Sequence, residues 1–123
     1  MDGLIIDWDA IEPRTVIPGF VGRFAHSTTM SFVDWHIAAG AVLPQHSHPH
    51  EQVIHVFDGR LEVTVDGVTS VLSAGMVGVV PPGRPHSGRA LTDCHVLDVF
   101  NPIREDYRSG APSLLQAAME RHD

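Results

Sequence analysis

The sequence predicts an all-β protein, a sandwich or barrel of short strands. Apolar and polar residues alternate over short runs, as at Val33, Trp35 and Ile37 and again across residues 61–65. Each run stops at a turn signal. Asp58-Gly59 and Asp66-Gly67 are hairpin pairs, while Ala74-Gly75 and Asn101-Pro102 close later runs. A third observation gives the fold its purpose. Residues 40–59, GAVLPQHSHPHEQVIHVFDG, place four histidines, a glutamate and a glutamine between His46 and His55, and neutral imidazole is the commonest metal ligand.

Taken in order, residues 1–19 carry Pro13 and Pro18 among mixed charges and read as an arm, with an edge strand expected at 4–7. Residues 20–26 read as a strand, and 30–38 as a clearer one. In the latter, Val33, Trp35 and Ile37 face the core, leaving Phe32, Asp34 and His36 outside. Residues 40–44 read as a turn and 46–57 as a strand broken near Pro49. Strands follow at 61–65 and 68–72, and a short buried one at 77–80. Residues 81–86, PPGRPH, form a tight loop, and 90–100 the last strand. Residues 113–121, SLLQAAMER, place helix formers behind Ser113 as an N-cap, for a short helix or a frayed tail. The domain reading is one domain: an arm with the first strands at 1–29, a core at 30–108 and a tail at 109–123.

A chain of 123 residues fits one core. The net charge of −7 argues against a nucleic-acid partner. No apolar run is long enough for a membrane span, and acids stand where a signal peptide needs bases. One cysteine, Cys94, permits no intrachain disulfide. The expectation is a cytoplasmic protein.

The candidate metal ligands follow from strand parity. His46 and His48 are two apart and share a face. Continuing in steps of two reaches His50, made uncertain by Pro49, and then Gln52, whose carbonyl oxygen is a plausible ligand. Glu51 and His55 have the wrong parity. The PPGRPH turn aims His86 inward from a neighbouring strand. The expected set is His46, His48, Gln52 and His86, holding a divalent ion: Zn, Ni, Mn, Fe or Co. All four groups are neutral, so the ion keeps its full charge and suits a Lewis-acid role.

A second constellation lies at the end of the last strand. Asp98 interrupts the apolar run HVLDVF, sharing a face with Val96 and Phe100. A buried carboxylate needs a partner. Either it bonds Arg104 or a neighbouring strand, or it serves as a general acid/base beside the metal with Arg104 as an anion clamp. Arg23 and Arg84 are further basic residues near the expected pocket, Arg84 read as solvated. His95, of opposite parity to Asp98, is read as structural or interfacial.

These residues resemble the cupin family. Gly40, His46, His48 and Gly59 match the first cupin motif, G-x5-H-x-H-x3-E-x6-G, with Gln52 in place of the glutamate. Gly75, Pro81, Gly83 and His86 match the second, G-x5-P-x-G-x2-H-x3-N, with Ala90 in place of the asparagine. The resemblance implies a double-stranded β-helix, a small jelly-roll barrel. HSHPHEQ followed by D-x-F-x-P-x-R-E-D-Y is similar to the KdgF-type cupins of pectin and alginate breakdown, which linearise 4,5-unsaturated monouronates. That likeness implies metal at His46, His48, Gln52 and His86. It assigns acid/base and substrate roles to Asp98, Phe100 and Arg104, with a small anionic sugar as substrate. Polyketide cyclase, dioxygenase and non-catalytic sugar-acid-binding cupins share the metal pattern and remain alternatives. Cupins of this size commonly pair as homodimers, for which Phe32, Asp34, His36 and His55 are the expected surface.

Overall fold

Glycine and proline divide the chain into ten strands. In the computed structural model, which describes residues 5–109, these are β1 (Arg14–Ile17), β2 (Phe20–His26), β3 (Ser31–Ile37), β4 (Val42–His46), β5 (Glu51–Asp58), β6 (Arg60–Val65), β7 (Val68–Ser73), β8 (Val77–Val80), β9 (His86–Ala90) and β10 (Cys94–Asn101). A single-turn helix, α1 (Glu105–Ser109), follows. The strands form two sheets. One has six strands in the order β1-β2-β3-β10-β5-β8, the other four in the order β4-β9-β6-β7. Every pairing is antiparallel. The order is that of a jelly roll, with β10 inserted between β3 and β5.

Period-two alternation decides what lies between the sheets. Val33, Trp35 and Ile37 of β3, Ile54 and Val56 of β5, Leu61 and Val63 of β6 and Val96 of β10 form the buried core. Each such aliphatic side chain contributes roughly 1.5–3 kcal/mol by leaving water. Trp35 anchors one end, edge-on to Phe20 and Phe24 at centroid distances of 5.8 and 5.6 Å. Gly22 lies over its indole, where a Cβ would come within 2.8 Å of two ring carbons.

Several elements differ from the sequence reading. No strand forms at residues 5–7. A 3-10 turn at Trp8–Ala10 follows, and the edge strand is β1. The turn expected at 40–44 ends early, because Pro44 is tolerated within the edge strand β4, where the β4–β9 register shifts between Leu43 and His46. Residues 86–90, divided between loop and strand in the sequence reading, form β9. Ser87, Gly88 and Arg89 carry no strand signal, but β9 pairs on both sides, with β4 and β6. Strand β8 is not buried. Val77 and Val79 lie outside at 53% and 57% exposure, and Val80 turns inward. A run of valines hides an alternation that only the second face reveals. Helix α1 gave no signal of its own, and the helix expected at 113–121 lies outside the described residues. No helix among the described residues is long and apolar enough to cross a membrane.

Candidate metal centre

Three histidines converge between the sheets. His46 ends β4, His86 opens β9, and the two are register partners. His48 lies in the loop entering β5. The three rings approach at centroid distances of 4.2 Å (His46–His86), 4.8 Å (His48–His86) and 5.6 Å (His46–His48). Their ligand atoms all lie within 4.8 Å of one another, and all three residues are buried. Backbone geometry holds each ring. His46 Nδ1 donates to the Pro44 carbonyl (2.8 Å), His48 Nδ1 to that of His50 (3.1 Å), and His86 Nδ1 to that of Arg84 (2.8 Å). Each partner is two residues away, a reach that the proline-rich turns impose. The Gly83 N–H closes the arrangement by donating to the His48 carbonyl at 2.8 Å, from a left-handed backbone (φ +76°) suited to glycine.

With every Nδ1 assigned as donor, every Nε2 presents a lone pair inward, the tautomer that metal ligation requires. His86 Nε2 is buried without a partner. His48 Nε2 faces the Gln52 Oε1 at 3.1 Å. Both atoms are acceptors in this tautomer, an arrangement that a cation between them satisfies. A proton is a poor candidate. Burial pushes His48 down to about 4, with Arg104 and His86 acting the same way and Gln52 opposing. Burial, with His86 next, pushes His46 down to about 3. Burial lowers His86 as well. The donor set therefore fits a divalent ion, held by His46, His48 and His86 with Gln52 alongside. His50 is buried nearby but stands outside the ligand group, its Nε2 toward the Ile103 carbonyl at 3.2 Å and its Nδ1 unpartnered.

Beside this cluster, Asp98 projects inward from β10. The Trp35 Nε1–H donates to its Oδ2 at 3.0 Å, while Oδ1 is buried without a partner. Burial lifts its pKa to about 6, opposed by Gln52, Trp35 and Arg104. His46, Gln52, His86, Asp98, Phe100 and Arg104 line one cavity, together with Trp35, Ser87 and Tyr107.

Arg104 departs from the sequence reading. It is fully buried, and its salt bridge goes to Asp106 rather than Asp98, with Nε to Oδ1 at 2.9 Å and Nη2 to Oδ2 at 2.7 Å. The guanidinium lies over the rings of Tyr107 (4.0 Å) and Phe100 (4.8 Å). Burial works against its charge, but Asp106 and Tyr107 outweigh this and raise its pKa. Helix α1 explains the pairing, since its first turn carries Asp106 back toward Arg104. Phe100 stands edge-on to His48 at 5.6 Å and walls the cavity. Arg23 does not reach the cavity, because its Nε donates to the Ile11 carbonyl at 3.0 Å. Arg84 pairs with Asp66. Cys94 is buried, its Sγ donating to the Arg60 and Thr92 carbonyls.

Trp35, Asp106 and Tyr107 are site residues that the sequence reading missed. Trp35 reads as core by parity, and nothing local shows that its N–H meets Asp98, 63 residues away. A hint for Asp106 lay in the run RED, where an acid two residues after a buried arginine can reach back across one turn.

The cupin domain model matches residues 33–100, more than half of the chain. The chain belongs to the cupin family. This cupin is 31% identical over 83 residues to the pectin degradation protein KdgF of Dickeya dadantii (strain 3937), covering 66% of this chain and 76% of that protein. It superimposes on an RmlC-like cupin from Shewanella frigidimarina NCIMB 400 with a TM-score of 0.80 and 30% identity, over 85% of this chain and 95% of the other. Against KdgF from Halomonas sp. the TM-score is 0.74 with 33% identity, over 78% and 90%.

Proposed function

We propose that this cupin is an enzyme that linearises 4,5-unsaturated monouronates, with a divalent ion at His46, His48, His86 and Gln52. The observation that carries the reading is Asp98, a buried carboxyl with one unpartnered oxygen lining the same cavity as His46, His86 and Gln52. Similarity to two KdgF proteins supports the substrate class.

Linearisation is a balanced isomerisation. The anomeric hydroxyl gives up a proton, the ring C–O bond breaks to leave an aldehyde, and the enolate released takes a proton at carbon 4. One group that accepts and then returns a proton serves both steps. Asp98 suits this role because burial holds its pKa at about 6. Trp35 fixes Oδ2 and leaves Oδ1 for the substrate. When bound, the metal supplies Lewis-acid polarisation of the substrate oxygens. Arg104 offers positive charge to the uronate carboxylate. Its Nε and Nη2 are committed to Asp106, so the substrate meets the rest of the guanidinium and not the full fork. Phe100 and Tyr107 keep that cation in place and exclude water.

Loss of the enol-ether ultraviolet absorbance of a 4,5-unsaturated monouronate tests this. Decay with metal-loaded protein and none after chelation is the expected result. Unchanged absorbance with one ion bound per chain would overturn it, and oxygen uptake would then point to dioxygenase chemistry. We further assign the edge strand β8, where Val77 and Val79 are exposed, to pairing with a second copy. A monomer mass by light scattering would refute that pairing.

A further inference from the structure

We propose that Asp34, His36 and His95 form a second divalent-metal site, on the outer face of the six-stranded sheet. His36 and His95 are direct cross-strand partners in the β3–β10 register. Their rings are stacked, with centroids 4.5 Å apart and planes within 6°. Both Nε2 atoms lie near one carboxylate, and because stacked rings hold their lone pairs parallel, a shared ion requires each ring to tilt toward it. His95 Nε2 lies 2.5 Å from Asp34 Oδ1, and His36 Nε2 lies 3.8 Å from Oδ2. All three ligand atoms lie within 4.8 Å of one another.

The surroundings favour a metal over a simple ion pair. Asp34 is only 7% exposed although it faces outward, so it needs compensating charge. The cation opposite it in the β2–β3 register is Arg23, but the Arg23 Nε is turned to the Ile11 carbonyl. Asp34 is left with two imidazoles, one on each oxygen. Ligand atoms around Zn²⁺ at about 2.0–2.2 Å stand about 3.3 Å apart. The site reaches this by opening the His95 contact and closing the His36 one, both by rotation of side chains that solvent can reach. Two imidazoles and one carboxylate select borderline ions such as Zn²⁺, Co²⁺ or Ni²⁺ over Ca²⁺ or Mg²⁺. One position remains for water, and the ion would tie β3 to β10. The site is independent of the first, because strand parity places the two on opposite faces of the sheet, and it does not depend on the reaction proposed above.

Equilibrium dialysis against micromolar Zn²⁺, with metal counted by mass spectrometry, tests the assignment. The wild-type protein is expected to hold two ions per chain. The His36→Ala/His95→Ala variant and the His46→Ala/His86→Ala variant are each expected to hold one. A His36→Ala/His95→Ala variant that holds as many ions as the wild type overturns it, whatever the occupancy of the buried centre. Should the buried double variant fail to fold, Co²⁺ absorption of the wild type minus that of His36→Ala/His95→Ala gives a second readout. A ligand-field difference is expected, and its absence overturns the site.

Discussion

Replacing Trp35 with phenylalanine removes its hydrogen bond to Asp98 Oδ2 and leaves Gln52 and Arg104 to stabilise the carboxylate. A hydrogen bond to a charged acceptor contributes about 1.5–3 kcal/mol. Loss of that stabilisation falls on the ionised form alone, so the Asp98 pKa should rise by about 1–2 units at 1.36 kcal/mol per unit. In the metal-free protein, that takes Asp98 from about 6 to near or above neutrality; a bound divalent ion lowers both values together, so the difference between variant and wild type is the quantity to read. In the metal-free protein, ionised Asp98 at pH 7 would drop from about nine-tenths to between one-half and one-tenth. The assay is the pH dependence of kcat/KM on the unsaturated uronate. The acid limb should move upward by about 1–2 units, with activity lost on that limb and recovered at higher pH. The smaller ring also leaves space between Phe20 and Phe24, costing about 1–3 kcal/mol of stability. That loss lowers the melting temperature without moving the limb. An unmoved limb in a folded, metal-loaded variant would refute the role of Trp35 and the assignment of the limb to Asp98.

Other outcomes follow from the same geometry. Asp106→Asn strips the fully buried Arg104 of its charged partner and should cost about 3 kcal/mol in urea unfolding; a loss under about 0.5 kcal/mol would show that the pair is dispensable. Gly59→Ala should cost about 2–4 kcal/mol or prevent folding, since Gly59 has φ +88° and its Cβ would stand 2.1 Å from the Asp93 carbonyl oxygen; near-native melting would contradict the register at that turn. In metal-free protein, the depressed pKa values of His46 (about 3) and His48 (about 4) mean that the unfolded chain binds more protons below pH ~6.5. Their stabilising contribution is therefore full above that pH and lost as pH falls toward 4 and 3, on the order of a few kcal/mol in all. The raised pKa of Asp98 acts oppositely, its contribution being lost as pH rises through about 6. Urea midpoints of the chelated protein between pH 4 and 7 should rise with pH, and a flat profile would show that the imidazoles are not buried neutral. Adding Zn²⁺ to chelated protein at about a thousandfold excess over Kd should add about 4 kcal/mol, and an unchanged melting curve would argue against the centre.

The sequence by itself determined the all-β class, the inward faces of β3, β5 and β10, and the turns that separate them. These are period-two and turn-chemistry properties, local to a few residues. Parity also placed His46, His48, Gln52 and His86 together, because a shared strand face and an aimed turn are local as well. Long-range geometry decided the rest. Strand β9 exists because two neighbours pair with it, not because Ser87-Gly88-Arg89 prefers to be extended. Val77 and Val79 of β8 point outward because the register with β5 puts them on the outer face, while Val80 points in. Asp98 finds Trp35 across 63 residues, and Arg104 finds Asp106 only once α1 turns the chain back. The Asp34, His36 and His95 group forms only when β3 and β10 are set side by side. Side-chain partners across strands follow from register, and register is fixed by the packing of the whole sandwich.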